Sequence, residues 1–410
     1  MGTELASTSL DGRPAGPRGD AVRIAYVTET YPPELNGVAA TVARTLEHLR
    51  TRGWQIDLVR PRQPHESARD SAHELLTAGV AIPMYPDLRL GLARSARLVR
   101  RWEQQRPTVV HIATEGPLGA AAVKAARRLA LPVTSDFRTN FHAYSRHYGM
   151  PWAEKPVFAY LRRFHNRTDR TFVPTPAMRA ELLAARFERV EVIGRGVDAE
   201  RFNPARRDNA LRASWGVRED EPVVLYVGRL AAEKNVRLVF DSFRVLSQRA
   251  QRAGAGSARL VVVGDGPLAS TLRDDFPEAV FAGMRRGDDL ARHYASADLF
   301  LFPSLTDTFG NVLLEALASG LLVVAYDCAA ANAHMANGVN GLLVRPGDAH
   351  GFVASASAAG AQLKLLTHLR AAARATAETL TWDGIGRRFE ASLLQVAQQR
   401  DALDDATALA

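Results

Sequence analysis

The chain has 410 residues, 47% of them hydrophobic, and a formal net charge of +8. That length exceeds one ordinary hydrophobic core and calls for two domains, yet no apolar run approaches the ~20 residues of a membrane span. A single cysteine, Cys328, excludes an intrachain disulfide and a multi-cysteine metal site, and a reducing cytoplasm is its natural setting. Residues 1–20 are rich in Gly, Pro, Ser, Asp and Arg without an apolar core, and read as a disordered leader, not a signal peptide. Basic residues are spread through both halves and no nucleic-acid motif appears, so nucleic acid is not expected as a partner. An anionic membrane surface accounts for the charge equally well.

In chain order, Val22–Val27 reads as a strand, followed by the loop Thr28–Val38 and a helix from Ala39 to Arg52 closed by Gly53. The Asn36-Gly37 turn lets backbone approach a ligand closely, because glycine has no Cβ. Two basic stretches follow. Arg89–Arg106 reads as an amphipathic helix packed on its own domain with its arginines toward water. Arg146–Arg170 interleaves Trp152, Phe158, Tyr160 and Phe164 with basic residues, and reads equally as such a helix or as a membrane-interface element. Thr108–Ile112 and Leu131–Ser135 are strands ending in loops, the second continuing Asp136-Phe137-Arg138-Thr139-Asn140-Phe141-His142. His111 reads as a structural strand-end residue. A last strand, Val190–Ile193, closes a first domain over 21–195. Residues 196–205 make a linker, and a second domain spans 206–380.

In that second domain the apolar run Val223–Val227 fits a parallel strand buried on both faces. After it, Gly228 turns the chain toward Arg229 and Lys234. A guanidinium fork beside an ammonium makes a clamp for a diphosphate, and the chain has only four lysines to place. Leu260–Val263 with Gly264, and Val280–Ala282 with Gly283 and Met284, repeat the strand–glycine pattern. Successive strand–glycine–helix units mean a doubly wound parallel sheet, with ligands at the carboxyl ends of its strands. The run Asp298–Ser304 then feeds Asp307-Thr308-Phe309-Gly310-Asn311, which opens into an apolar-periodic helix from Val312 to Ala318. A glycine loop entering a helix points free N–H groups at an anion. Glu315 lies about 7 Å along the axis from Gly310. Taken alone, Glu315 could be a helix-start acid and Asp307 a turn cap; the neighbouring cations favour a sugar-nucleotide site. No His/Asp cluster shows ligand spacing, so neither a metal nor another cofactor is expected.

The segment Asp307–Glu315 resembles the E-x7-E motif of the family 4 retaining glycosyltransferases, with Asp307 in place of the first glutamate. Gly228–Asn235 matches that family's G-R-L-x-x-E-K-N residue for residue, and Gly196, Val197, Asp198, Phe202 and Pro204 match its G-V-D-x-x-x-F-x-P hinge. The resemblance covers nearly everything from residue 22 to 399. It implies the α/β GT-B fold, two Rossmann-like doubly wound domains facing across a cleft, with a last helix over 382–400 crossing back onto the first. It also implies roles: Asp307 on the donor sugar, Glu315 on the ribose, Arg229 and Lys234 on the diphosphate without a metal. Backbone groups of Phe309, Gly310 and Asn311 would meet phosphate or sugar, Gly283 and Met284 the base, and Gly37 the donor from the opposite domain.

One departure stands out. Many relatives read F-H-T where this chain has Phe137-Arg138-Thr139, and arginine cannot shuttle a proton. Arg138 and His142 are therefore the acceptor-side candidates, sharing a face if the stretch is helical. Front-face attack, with the leaving phosphate taking the proton, needs no protein base. Tyr31–Val38, Ala113–Pro117 and Thr139–Ser145 resemble bacterial α-mannosyltransferases that use GDP-mannose and glycosylate lipids, and also sulfolipid-synthase-like diacylglycerol glycosyltransferases. The expectation is mannose transfer from GDP-mannose, with UDP-sugars as the second choice, to a glycerolipid or glycolipid acceptor at the cytoplasmic face of the inner membrane. Two other functions stay open: a sugar-nucleotide 2-epimerase of the same fold, and an inactive sugar-nucleotide binder.

Overall fold

The computed structural model describes residues 22–34, 37–63, 66, 71, 73–82, 85–138, 154–218, 221–252 and 258–408. They fall into two compact units. One combines the chain before residue 140 with Lys155–Gly194 and the residues from Asp383 onward; the other is built on Arg195–Trp382.

The first unit is an eight-stranded sheet. Its strands are β1 (Arg23–Val27), β2 (Gln55–Pro61), β3 (Glu74–Ile82), β4 (Tyr85–Leu92), β5 (Val109–Ile112), β6 (Val133–Asp136), β7 (Arg170–Val173) and β8 (Val190–Val192). The spatial order is β4-β3-β2-β1-β5-β6-β7-β8, and every pair is parallel except β3 with β4. The central strands are buried, and their apolar residues feed two core clusters, while Asp57, His111, Thr134 and Asp136 are buried polar residues among them.

The basic stretch Arg89–Arg106 divides. Its start belongs to β4, and only Ser95–Gln104 is helical. Gly91 is why the strand fits: a Cβ there would lie 2.8 Å from the Leu118 side chain. The helix buries Leu98, Val99 and Trp102 on its own unit, and Arg101 forks onto the buried carboxylate of Asp57. In the second basic stretch, the helix Glu154–His165 buries Leu161 and Phe164 and leaves Tyr160 exposed. Trp152 and His142 lie outside the described residues. Gly37 is the first residue of the helix Gly37–Thr51, where its carbonyl accepts from the Thr41 hydroxyl, and Asn36 lies outside the described residues.

The helix Trp382–Ala408 runs past the expected end. Its Phe389 packs edge-on to His111 (4.9 Å) and Phe172 (5.4 Å), and Leu393 and Leu394 join the same core. Glu390 accepts hydrogen bonds from Trp54 Nε1 (3.0 Å) and Arg52 Nε (3.1 Å), so a buried carboxylate is met by two donors.

One helix start in this unit is already filled. Glu29, in the loop after β1, accepts from the backbone N–H of Leu118 (2.9 Å) at the head of the helix Pro117–Arg128 and from that of Gly91 in β4 (3.3 Å). Its carboxylate lies so close to Gly116 that a Cβ there would sit 1.7 Å from it. The chain thus supplies its own anion to those amides. Burial nonetheless pushes the Glu29 carboxyl up to about 7, against the bonds from the amides.

The second unit is wholly parallel: β9 (Val223–Val227), β10 (Arg259–Val263), β11 (Val280–Gly283), β12 (Leu299–Phe302), β13 (Leu322–Tyr326) and β14 (Leu342–Val344), in the order β11-β10-β9-β12-β13-β14. Beneath it, Arg212 is almost fully buried and donates to Asp298 (3.1 Å), Ser296 O (2.8 Å) and Glu221 O (2.6 Å).

Phe389→Ala is expected to cost about 3–5 kcal/mol, as an aromatic deletion from a closed core does; an unchanged urea midpoint for the first unit's transition would contradict this. Glu29 binds more protons folded than unfolded between its ordinary value and about 7, so it lowers stability as pH rises through that window. Glu29→Gln should flatten the fall in unfolding free energy between about pH 4.5 and 7, by at most about 1.4 kcal/mol per pH unit for one proton. Identical slopes for variant and parent would refute it.

Candidate functional site

In the second unit the strand order reverses between β9 and β12. Connections leave that point in opposite directions, which opens a crevice at the carboxyl ends of the two strands. The two loops that carry the sequence candidates start there. After β9 come Gly228, Arg229 and the short 3-10 turn Ala232–Lys234; after β12 comes the run from Pro303 to Asn311.

Lys234 and Asp307 meet. Lys234 Nζ donates to Asp307 Oδ1 at 2.6 Å, with each side chain about a fifth exposed. The loops are also joined by Thr306 Oγ1 donating to Glu233 O (2.8 Å) and Asn235 Nδ2 donating to Pro303 O (3.3 Å). Asn235 holds a left-handed φ of 53°, which turns the chain out of the short helix. Arg229 is more exposed and reaches Glu233 at 3.4 Å, with its backbone carbonyl held by the Tyr226 hydroxyl (3.0 Å). The loops after β9 and β10 touch so closely that a Cβ on Gly264 would stand 1.9 Å from Gly228 O. Only glycine fits there.

Gly310 caps the helix Asn311–Ala318 in a left-handed conformation (φ 93°) with the Phe302 ring beneath it, 2.7 Å from where a Cβ would be. As glycine it offers no side chain to cap the helix's first amides, and its own carbonyl accepts from Leu313 N–H at 3.0 Å. Phe309 is buried, edge-on to His334 at 5.7 Å. Glu315 lies one turn further on, partly buried. Burial pushes its carboxyl up to about 7, while the Tyr294 hydroxyl bonds to it and works the other way. The Cys328 thiol, near Asp307 and Asp327, is pushed up to about 11, chiefly by burial, and stays a thiol. Gly283, at φ 70°, has open space where a Cβ would be, and Met284 beside it is 54% exposed. Both end β11, at the same carboxyl edge.

Arg138 lies in the first unit, just past β6, with its guanidinium on the buried carboxylate of Asp136. Asp136 also bonds His111 Nε2 (3.1 Å), whose Nδ1 meets Thr134 Oγ1 (2.9 Å). Burial alone would raise the Asp136 carboxyl; Arg138 and His111 override it and hold it below its usual range. His111 is thus a backing residue for Asp136, not an exposed acid or base.

Sequence reading missed Arg195 and Tyr294. Arg195 is buried, donates to Asn311 Oδ1 (3.1 Å) and lies over the Phe309 ring (5.5 Å). Nothing in its Gly-Arg-Gly setting says which loop it reaches. Among the described residues, no three His, Cys, Asp or Glu side chains gather as metal ligands would. Nor, among them, is any helix long and apolar enough to cross a membrane.

Comparison with known proteins gives the family and the fold. Two family descriptions match in succession, "Glycosyltransferase Family 4" over residues 35–201 and "Glycosyl transferases group 1" over 221–359. A GDP-mannose-dependent alpha-mannosyltransferase of Mycobacterium tuberculosis is 38% identical over 311 residues, 75% of this chain and 79% of that one. An alpha-monoglucosyldiacylglycerol synthase of Streptococcus pneumoniae is 26% identical, over 74% of this chain and 71% of its own length. The solved structure of Anabaena HepE in complex with UDP and glucose superposes with a TM-score of 0.68 at 17% identity, covering 91% of this chain and 99% of that one. The chain belongs to the family 4 glycosyltransferases: it is a sugar-transferring enzyme with the GT-B fold.

Proposed function

We propose that the enzyme is a retaining, metal-independent hexosyltransferase that moves mannose from GDP-mannose to a glycerolipid or glycolipid. The Lys234–Asp307 pair at the reversal of strand order carries this reading, because it puts a mobile cation and a hydroxyl acceptor on one spot. In the proposed reaction the anomeric carbon–phosphate bond breaks and the nucleoside diphosphate leaves against Lys234 and Arg229. Their charges stabilise it in place of a metal. The acceptor hydroxyl attacks the same face, forms the new glycosidic bond and passes its proton to the departing phosphate oxygen. Asp307 accepts from sugar hydroxyls and Glu315 from the ribose. The amides of Phe309–Asn311 face the phosphate or sugar, and Gly283 with Met284 the base. The mannosyltransferase relative supports the donor, and the diacylglycerol-synthase relative supports a lipid acceptor. A UDP-sugar donor has its support in the UDP-bound Anabaena neighbour.

On the acceptor side Arg138 is retained, with His142 and the cytoplasmic membrane face as sequence-based assignments; Gly37 is retained in the same way on the donor. The first unit has cationic surface for a peripheral contact with anionic lipid. Arg100 on the helix Ser95–Gln104 and Lys124, Arg127 and Arg128 on the helix Pro117–Arg128 are exposed, and the two helices touch.

The test is turnover of GDP-mannose, UDP-glucose and UDP-glucuronate in EDTA, with and without anionic vesicles carrying diacylglycerol-type lipid. GDP release from GDP-mannose, increased by the vesicles and matched by a mannosylated lipid, is expected. Release from a UDP-sugar alone would overturn the donor, loss in EDTA the metal independence, and a changed nucleotide sugar without acceptor would indicate an epimerase. Lys234→Ala and Glu315→Gln should each lower kcat/KM by at least about 100-fold if they act on the leaving group and ribose; parent-like rates in both would remove the site assignment.

The Glu315 carboxyl is raised to about 7 by burial, and ribose hydroxyls donate to its charged form. Donor affinity should therefore strengthen as pH rises through about 7. Glu315→Gln should bind with no such step, measured calorimetrically from about pH 6 to 8, a range set around that value by roughly one unit each side.

A further inference from the structure

Arg195 has no part in the scheme above, yet it is buried against the loop that the scheme uses most. Three features fix what it does there. Asn311 is the first residue of its helix, and the residue before it is glycine, so no cap side chain covers the leading amides. Asparagine side chains compete for nearby backbone N–H groups, and a helix start leaves such groups without intrahelical partners. Here its oxygen is instead bound by Arg195 NH1 at 3.1 Å, and the same guanidinium lies over Phe309 two residues earlier. Arg195 is itself set by its neighbours. Gly196 passes so close to Trp382 that a Cβ would stand 2.5 Å from Trp382 N, and Val197 N donates to Leu380 O at 2.8 Å.

We propose that Arg195 is a positioning residue of the donor site: by holding the Asn311 side chain, it keeps the first amides of the helix Asn311–Ala318 open for the donor's phosphate. The proposal rests on the reading that the donor binds at this loop. It gives Arg195 a role that is not simply one more positive charge. Without the guanidinium, the Asn311 oxygen swings onto its own helix amides and competes with phosphate for them. The Phe309 ring loses the guanidinium that lies over it. The cost then falls on binding, so KM rises while kcat changes less.

The two roles separate in a double-mutant cycle on the full-length chain, using GDP and UDP as calorimetric probes and GDP-mannose for kinetics. Arg195→Ala should weaken nucleoside diphosphate binding about tenfold, the worth of a displaced hydrogen bond to a charged group. In an Asn311→Ala background, which removes the side chain but keeps the amide, the same substitution should have an effect of under about threefold. Arg195→Lys, which keeps the charge without the planar fork, should behave like a milder Arg195→Ala and be cancelled by Asn311→Ala in the same way. That lysine variant carries the test if Arg195→Ala shows a lowered unfolding temperature. An equally large loss with and without Asn311 would overturn the proposal and make Arg195 a plain charge. Parent-like binding by Arg195→Ala, with Lys234→Ala weakened, would overturn this inference alone. Parent-like binding by Lys234→Ala would remove the donor-site reading and this inference with it.

Discussion

The parallel pairing of β9 with β12 is the constraint on which the second unit's chemistry depends. Two parallel neighbours cannot be joined by a tight turn, so each sends its chain away through a helix, and here the two chains leave in opposite directions. What remains between the strand ends is a gap that backbone does not fill. The glycines after these strands then decide how near the loops come. Gly228 and Gly264 touch, and Gly310 sits on the Phe302 ring, so the rim is narrow and its amides face inward rather than being sealed by side chains.

Within that rim, charge is arranged in pairs. Lys234 is held by Asp307 and Arg229 by Glu233, while Arg195 donates to the neutral side-chain oxygen of Asn311. The Lys234 ammonium donates to Asp307 Oδ1. The substitution of aspartate for the family's glutamate matters in this light. The shorter side chain leaves the carboxylate at the loop, close enough for a 2.6 Å contact with the lysine. The first unit answers the same electrostatic problem differently. The head of its helix Pro117–Arg128 is closed by Glu29 from within, so two similar folds treat similar helix starts in opposite ways.

Sequence was a good guide where one short segment carries both the strand and its loop. The runs Val223–Val227 and Leu299–Phe302 are continuous apolar stretches ending in turn residues, and their motif residues follow within about ten positions. The parallel sheets, the clustering of Lys234 with Asp307 and the position of Glu315 were legible for that reason. Long-range relations were not. Arg195 and Asn311 are 116 residues apart, and Glu29 meets Leu118 across 89. Neither partner advertises the other, since a lone arginine or glutamate in a loop reads as surface. The β3–β4 hairpin was hidden for a local reason: arginines spaced through Arg89–Arg106 mimic one wet helical face, and only the Gly91–Leu118 contact reveals a strand in the first part. At Gly37 the helix starts two residues earlier than the apolar pattern from Ala39 indicates.

The helix that starts at Trp382 has a consequence for how the molecule is made. The second unit's sheet and its cover come from one uninterrupted stretch, Arg195–Trp382. The first unit is begun by β1 but finished only by Phe389, Leu393 and Leu394. On the ribosome, where chains emerge amino end first, the order of completion is therefore inverted. The later-encoded unit closes its core before the earlier one receives its last wedge. Until then the face of the sheet around Tyr26, His111 and Phe172 waits uncovered and open to misassociation. Loss of the final helix would strike the amino-terminal half of the protein and spare the half it is joined to.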